Sequence, residues 1–153
     1  MTANTDAIAD SALEMRLQYR FITAADDPAT RQIIALYQTA GWWSHTSDDP
    51  DLVQRLIRGS HCFLIARLNR QIIGMGRAIS DGASDAYIQD VTVQGDFRRQ
   101  GIGRGLIERL TRRLEADGIH WIGLIAENNS QWIYTPLGFQ PMPHAHPMVK
   151  IIP

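Results

Sequence analysis

Apolar positions divide the chain into short β-prone runs and segments with helical spacing. The first β-prone run is Tyr19 to Ile22, and an Asp-Asp-Pro start signal at 26–28 then opens a helix that Gly41 ends. A second Asp-Asp-Pro signal at 48–50 opens a shorter helix, which Gly59 closes. The pattern therefore predicts the order strand, helix, helix for the first part of the chain.

The middle of the chain is predicted to form three strands. The segments 61–68 and 71–79 are apolar and β-prone, and the two residues between them, Asn69-Arg70, are typical of a hairpin turn. A polar turn at 81–85 leads into a third run, Tyr87 to Val93. These three strands are expected to lie side by side.

The clearest helix is predicted between Ile102 and Asp117, because the apolar residues at 102, 106, 107, 110 and 114 form one stripe. The apolar run Trp121 to Ile125 then predicts a strand covered on both faces, joined to the preceding strand by a right-handed parallel crossover. A short helix through Tyr134, a strand from Phe139 and a last strand from Met148 to Ile152 complete the prediction. The fold class is α+β with a mixed sheet.

Composition narrows the class of protein. A chain of 153 residues, 44% of them apolar, is the size of one domain, and its net charge of −1 does not favour nucleic acid or an anionic membrane as a partner. The first 14 residues lack the layout of a secretory signal, and no apolar run approaches the length of about 18 residues that a membrane-spanning helix needs. We predict a cytoplasmic protein with a flexible tail, residues 1–18, and one domain, residues 19–153.

Glycines and arginines cluster between the third predicted strand and the long helix. The segment reads Arg98-Arg99-Gln100-Gly101-Ile102-Gly103-Arg104-Gly105. Glycines at alternate positions leave backbone N–H groups uncovered, a helix N-terminus adds partial positive charge, and guanidinium groups match phosphate geometry. The segment predicts an anion site, and the alternative is a tight turn that needs glycine only for its shape.

Two other phosphate-binding motifs do not fit this segment. A Walker loop needs Gly-Lys-Ser/Thr, whereas Arg104 and Gly105 follow Gly103. A dinucleotide fingerprint needs a third glycine where Leu106 stands, and it normally opens a domain.

The segment resembles the Arg/Gln-x-x-Gly-x-Gly/Ala motif of the GNAT superfamily of N-acetyltransferases, with matches at Arg98, Gly101 and Gly103. Residues 127–139, which read ENNSQWIYTPLGF, are similar to the family's Asn-rich loop and its Phe-Tyr-x-x-x-Gly-Phe signature. The resemblance covers about Tyr19 to Ile152. It implies a mixed, largely antiparallel sheet of about six to seven strands flanked by about four helices.

The resemblance also implies a site. Acetyl-CoA would lie between two splayed parallel strands, Tyr87 to Val93 and His120 to Ala126, and Tyr134 would be the general acid that protonates the departing thiolate. The backbone of the first of these strands would pair with the pantetheine amides. The implied cofactor-binding residues are Val91, Val93, Arg98, Arg99, Gln100, Gly101, Ile102, Gly103, Arg104, Gly105 and Asn129.

Asp90 is the candidate general base, because it interrupts an apolar strand beside the expected thioester position. The alternative is a structural carboxylate, and in that case His45, Asp81 or Asp85 on nearby loops would be candidates. Trp42 and Trp43, together with His45, are predicted to wall an acceptor pocket suited to a cationic or aromatic amine. The alternative for the two tryptophans is a hydrophobic plug between helices.

We predict an N-acetyltransferase that moves an acetyl group from acetyl-CoA directly to an amine, without a covalent enzyme intermediate. Cys62 lies outside both motifs and is predicted to be core, and His144 and His146 lack the partners of a metal site, so no metal is expected. A small-molecule acceptor is favoured over a protein amino group, and a homodimer is possible by analogy with the family. The rival hypotheses are a non-catalytic acyl-CoA sensor and an enzyme with a longer acyl donor.

Overall fold

A five-stranded mixed sheet is the centre of the fold in residues 16–153, the part of the chain that the computed structural model describes. Its strands lie side by side in chain order, antiparallel from the first to the fourth and parallel between the fourth and the fifth. The strands are β1 (Leu17–Ile22), β2 (Cys62–Leu68), β3 (Gln71–Ser80), β4 (Asp85–Val93) and β5 (Trp121–Gly123). The α-helices are α1 (Asp27–Thr39), α2 (Pro50–Gly59), α3 (Ile102–Ala116) and α4 (Gln131–Tyr134).

The predicted helix starts are confirmed by their caps. The side chain of Asp26 accepts a hydrogen bond of 2.8 Å from the backbone N–H of Ala29, and Asp49 accepts one of 3.0 Å from Leu52. A proline lies in the first turn of each helix, where its missing N–H costs nothing. Each start signal therefore works through contacts within three residues.

The sheet separates two hydrophobic cores. Helix α3 covers one face, where Leu106, Leu110 and Leu114 are fully buried against alternate residues of β2, β3 and β4. Helices α1 and α2 cover part of the other face, and Ile33, Val53 and Phe63 are buried there. Burial on both faces explains why β2 and β3 read as nearly continuous apolar runs.

The pairing of β3 with β4 is interrupted by a bulge. The register shifts between Met75 and Arg77, so that Asp90 and Val91 together oppose Gly76. Asp90 has a φ of +56°, in the left-handed region that L-residues seldom adopt. A side chain on Gly76 would bring a Cβ to 3.0 Å from Leu110 Cδ1 and 3.1 Å from Val91 Cγ2, so glycine allows the bulge to pack closely.

The C-terminal part of the prediction is wrong in strand number. The described residues contain five strands rather than six to seven, and neither the segment from Phe139 nor Met148 to Ile152 forms a strand. Strand β5 ends at Gly123, and Ile125 is 63% exposed, so the predicted strand Trp121 to Ile125 is shorter and less covered than expected. The four helices and the largely antiparallel mixed sheet agree with the prediction.

The predicted N-terminal tail overlaps the first strand. Leu17 and Gln18, placed in the predicted tail 1–18, belong to β1, and residues 1–15 of that tail lie outside the described residues. Pro136 limits α4 to one turn, and a 3-10 turn follows at Thr135–Leu137. No helix within residues 16–153 is both long enough and apolar enough to cross a bilayer.

Candidate active site

Strands β4 and β5 pair over only three residues, and the space beside the unpaired part of β4 is called the cleft below. They pair in parallel only from Asp85 opposite Trp121 to Tyr87 opposite Gly123. Strand β4 then continues to Val93, whereas β5 ends, so in the described part of the chain residues 88–93 have no strand partner on that side. Unpaired backbone groups along a strand are a template for an extended ligand that carries amides.

The glycine and arginine segment lies at the end of this open strand. A 3-10 turn at Gly95–Phe97 leads into it, Arg99 and Gly101 both have positive φ, of 60° and 79°, and α3 begins at Ile102. Arg98, Arg99, Gln100 and Gly101 are all exposed. The start of a 15-residue helix therefore faces solvent beside guanidinium groups, and this arrangement fits the phosphates of a coenzyme.

Three of the residues predicted to bind the coenzyme also make contacts within the protein. Arg98 Nε donates to the backbone carbonyl of Val93 at 2.9 Å, so its guanidinium links the glycine and arginine segment to the end of β4. Arg104 Nε pairs with Glu108 at 2.9 Å along the helix surface. The side chain of Ile102 is only 2% exposed and packs into the core, which leaves its backbone as the part that can face a ligand.

Gly105, which is predicted to bind the cofactor, has a packing role in the structure. Its N–H already donates to the carbonyl of Gly101 at 2.9 Å, as the first bond of helix α3. A Cβ at this position would collide with the ring and hydroxyl of Tyr19 on β1. Gly105 is therefore required for close packing of helix against sheet.

Tyr134 lies on α4, which contacts α3. Its ring meets that of Phe139 edge to face, with 5.9 Å between centroids. Burial raises the pKa of the Tyr134 phenol, an effect that a hydrogen bond with Ser130 opposes and the charge of Glu127 reinforces. The phenol is therefore protonated at neutral pH.

Asn129 precedes α4 in an unusual turn. Asn128 and Asn129 both have positive φ, of 54° and 58°, and the N–H of Ser130 donates to the carbonyl of Glu127 at 3.0 Å. Asparagine tolerates this conformation better than most residues, which explains the asparagine pair at this turn. Asn129 is exposed, on the segment between β5 and α4.

Asp90 is held by two donors at the bulge. Its Oδ2 accepts from Arg77 Nε at 2.5 Å and from the hydroxyl of Tyr37 at 2.7 Å. The side chains of Arg77 and Asp90 are 12% and 22% exposed, so this ion pair is largely shielded from water. These contacts favour the structural alternative for Asp90, and its role as the general base stays a prediction.

The two tryptophans lie beside this network. The ring of Trp43 stacks on Tyr37 with 4.2 Å between centroids, and Trp42, 39% exposed, meets Tyr37 edge to face at 5.9 Å. The backbone carbonyl of His45 accepts from Gln38 Nε2 at 3.2 Å, and the residue is exposed. The α1–α2 loop therefore brings both tryptophans to the side of the sheet where Asp90 lies.

Tyr37 and Arg77 were not identified from the sequence. Tyr37 falls at helical spacing with Ile33 and Leu36, a pattern that indicates a helix and gives no sign of a contact with Asp90. A signal for Arg77 was present, since one charged residue interrupts each of two neighbouring apolar runs, β3 and β4, with opposite signs. Such a pair on adjacent strands is a candidate cross-strand ion pair.

The remaining candidates have simpler environments. The Asp81 carboxylate accepts from the N–H groups of Ala83 and Ser84 at 2.8 and 3.1 Å, which lowers its pKa and shapes the turn before β4. Burial raises the pKa of the Cys62 thiol to about 11. His144 and His146 are exposed, and residues 16–153 contain no group of three His, Cys, Asp or Glu side chains placed to hold a metal.

Comparison with known proteins agrees with this geometry. Residues 22–149 match the family described as "Acetyltransferase (GNAT) domain". Over 74 residues, or 48% of this chain and 32% of the relative, the chain is 42% identical to "Histone acetyltransferase TAP1" of Glycine max. Over 73 residues, 48% of this chain and 36% of the relative, it is 36% identical to "Serotonin N-acetyltransferase 2, chloroplastic" of Oryza sativa subsp. japonica. The match thus spans about a third of the length of these curated relatives.

A solved structure, that of a "predicted acetyltransferase with acetyl-CoA" from Clostridium acetobutylicum, has a TM-score of 0.67 and 20% identity. The alignment covers 87% of this chain and 96% of that protein. At this identity the likeness shows the fold alone.

Proposed function

Because this chain belongs to the GNAT acetyltransferase family, to which residues 22–149 match, we propose that it moves an acetyl group from acetyl-CoA directly to a small-molecule amine. The observation that carries the proposal is the open edge of β4 at residues 88–93, which leads directly to the exposed start of α3. An extended ligand with amides in its middle and phosphates at one end fits these two features together.

Acetyl-CoA, when bound, supplies an acetyl group already activated as a thioester. Arg98, Arg99 and the uncovered N–H groups at Ile102 and Gly103 would hold its phosphates. The backbone of Val91 and Val93 would pair with its amides, and a donor on the same strand would stabilise negative charge that develops on the thioester oxygen. Asn129 would line the other wall of the cleft.

Tyr134 would give its proton to the departing sulfur. Its phenol stays protonated at neutral pH because burial raises its pKa, so a proton is available to the sulfur as the carbon–sulfur bond breaks.

Transfer without a covalent enzyme intermediate is supported by the state of Cys62. Its pKa of about 11 means that the thiol is protonated at neutral pH, and only 6% of the residue is exposed. The thiolate is the nucleophilic form of cysteine. Cys62 is therefore unsuited to carrying an acetyl group between donor and amine.

The acceptor side is proposed to include Trp42 and Trp43, with His45 on the same loop. An exposed indole that contacts Tyr37, whose hydroxyl reaches Asp90, suits an amine that carries an aromatic or cationic group. The name of the rice relative, a serotonin N-acetyltransferase, supports a small aromatic amine. A protein amino group is the second candidate, favoured by the name of the soybean relative.

The test is release of free coenzyme A thiol from acetyl-CoA in the presence of an amine panel. We expect thiol release that depends on the amine and a product heavier by one acetyl group, with arylalkylamines faster than a histone tail peptide. Binding of acetyl-CoA without turnover on any amine would support the sensor hypothesis instead. Faster turnover with a longer acyl-CoA would reassign the donor.

The predicted phosphate site at the start of α3 can be tested with Gly103→Val. The added Cβ has room, since its nearest neighbour would be Val93 Cγ2 at 3.7 Å, but the side chain would cover the start of α3 where phosphate is expected. The Kd for acetyl-CoA should rise by about tenfold or more, equivalent to about 1.4 kcal/mol. Calorimetric titration measures this. Gly59→Val is the matched control, because Gly59 ends α2 with open space around its Cβ position. Equal affinities of the two variants for acetyl-CoA would contradict a phosphate site at the start of α3.

We also propose a homodimer that buries the C-terminal segment. Met148, Val149, Ile151 and Ile152 are 93%, 84%, 83% and 79% exposed, and contiguous apolar exposure of this kind marks association surfaces. Deleting residues 148–153 should convert a dimer into a monomer, as measured by light scattering after size exclusion. A full-length monomer, or a dimer that survives the deletion, would contradict this. The cytoplasmic location stays a prediction.

A further inference from the structure

Asp90 lies in the middle of the open edge of β4, within a bulge that sets the direction of the backbone groups around it. Its φ of +56° is strained relative to ordinary strand conformation. The surrounding contacts must offset this strain for the bulge to persist. The Asp90 carboxylate, held by two donors at one oxygen, provides such contacts.

Both donors come from elements that are themselves firmly placed. Tyr37 is 2% exposed on α1, and Arg77 lies on β3 with its Nη1 3.4 Å from the hydroxyl oxygen of Ser60. Burial, and then the neighbouring Asp90 charge, raise the pKa of Tyr37, so its hydroxyl remains a donor to the carboxylate. The bulge is therefore anchored to both the first helix and the neighbouring strand.

Tyr37 also contacts the α1–α2 loop that carries Trp42 and Trp43. Its ring stacks on Trp43 with 10° between the planes, and Trp42 meets its edge. One side chain thus touches the loop on one side and the bulge, through its hydroxyl, on the other. A shift of the loop would be transmitted to the backbone of β4.

We propose that Asp90, Tyr37 and Arg77 form a positioning network that holds the β4 bulge in place and couples it to the Trp42–Trp43 loop. In this assignment Asp90 is not the proton acceptor. Its Oδ2 accepts from a guanidinium and a phenol, and these two contacts hold the carboxylate at the bulge. The inference rests on the proposed function and identifies what aligns that site.

The experiment compares Asp90→Asn, Tyr37→Phe and the double variant in the thiol-release assay. We expect each single variant to lower kcat by about tenfold, since small misplacements of catalytic groups have effects of this order, and to leave the KM for acetyl-CoA within about twofold. The double variant should lose little more than either single one, because both changes break the same unit. The acidic limb of the kcat/KM profile should keep its midpoint in Asp90→Asn.

Asp117→Asn is the matched control. The Oδ2 of Asp117 also accepts from an arginine and a second donor, Arg113 Nε at 2.8 Å and His61 Nε2 at 2.7 Å, but it follows the end of α3, away from the cleft. It should leave kcat within about twofold. A loss of kcat in Asp90→Asn of about 10²-fold or more, with disappearance of the acidic limb and a normal Tyr37→Phe, would show that Asp90 is the base and overturn the network.

A readout independent of turnover separates this inference from the proposed function. If the wild-type protein acetylates no amine, the proposed function fails, and the backbone amide resonance of Val91 still reports the bulge. Tyr37→Phe should shift that resonance, whereas Asp117→Asn should not. An unchanged Val91 resonance in Tyr37→Phe would overturn the network whether or not the protein is active.

Discussion

Replacing Tyr134 with phenylalanine is expected to lower kcat by about 10²–10⁴-fold, the usual contribution of a general acid, and to leave the KM for acetyl-CoA within about twofold. The substitution removes only the hydroxyl, and the ring retains its edge contact with Phe139. Because burial raises the phenol's pKa, the proton is in place throughout the neutral range. Loss of the wild-type activity by deprotonation of this group is therefore expected only at alkaline pH.

Steady-state kinetics with acetyl-CoA and the best amine of the panel measure this effect. Tyr87→Phe is the control, since it also removes one tyrosine hydroxyl, from an exposed residue whose ring contacts Trp121 edge to face. Its kcat should stay within about twofold of wild type. A Tyr134→Phe enzyme with normal turnover would exclude Tyr134 as the acid and leave it as an aromatic packed between helix and sheet.

The second large effect is expected on stability. Leu110→Ala should lower the free energy of unfolding by about 2–5 kcal/mol, because it leaves a cavity in the core beneath α3. Leu110 is fully buried, and it packs so closely on Gly76 that a Cβ added to Gly76 would lie 3.0 Å from the Leu110 Cδ1. The cavity would therefore open directly under the β4 bulge.

Urea denaturation followed by circular dichroism gives the free energy of unfolding. Ile125→Ala is the control, since Ile125 is 63% exposed and its loss should change stability by about 0.5 kcal/mol or less. A similarly small change for Leu110→Ala would mean that packing of α3 on the sheet contributes little to the free energy of unfolding.

Helix positions were predictable because their signals are local. Asp26 and Asp49 cap helices through backbone groups three residues away, and the stripe on α3 identifies its buried face without knowledge of what it packs on. The hairpin of β2 and β3 was predictable for the same reason, since a two-residue turn joins the strands.

The candidate site was predictable only in part. The segment 98–103 combines glycine, arginine and a helix start within a few residues, so its chemistry is visible in the sequence. Gly105 belongs to the same glycine-rich segment, but it packs against Tyr19. Tyr19 lies 86 positions earlier and reaches Gly105 only after β1 joins the sheet. The packing role of Gly105 is therefore not visible in the motif itself.

The sequence by itself determined the elements with local signals and, through the motifs at 98–103 and 127–139, the resemblance to one family. It also predicts an anion site at 98–103. Tertiary structure decided the rest. Asp90 meets Tyr37, 53 positions away, only because α1 packs against the sheet, and the bulge exists only because β3 and β4 pair with a register shift. Likewise, the apolar residues of Met148 to Ile152 indicate strand propensity, but a strand also requires an edge to pair with. Caps and turns act over a few residues, whereas a carboxylate's role depends on donors that only the folded chain brings to it.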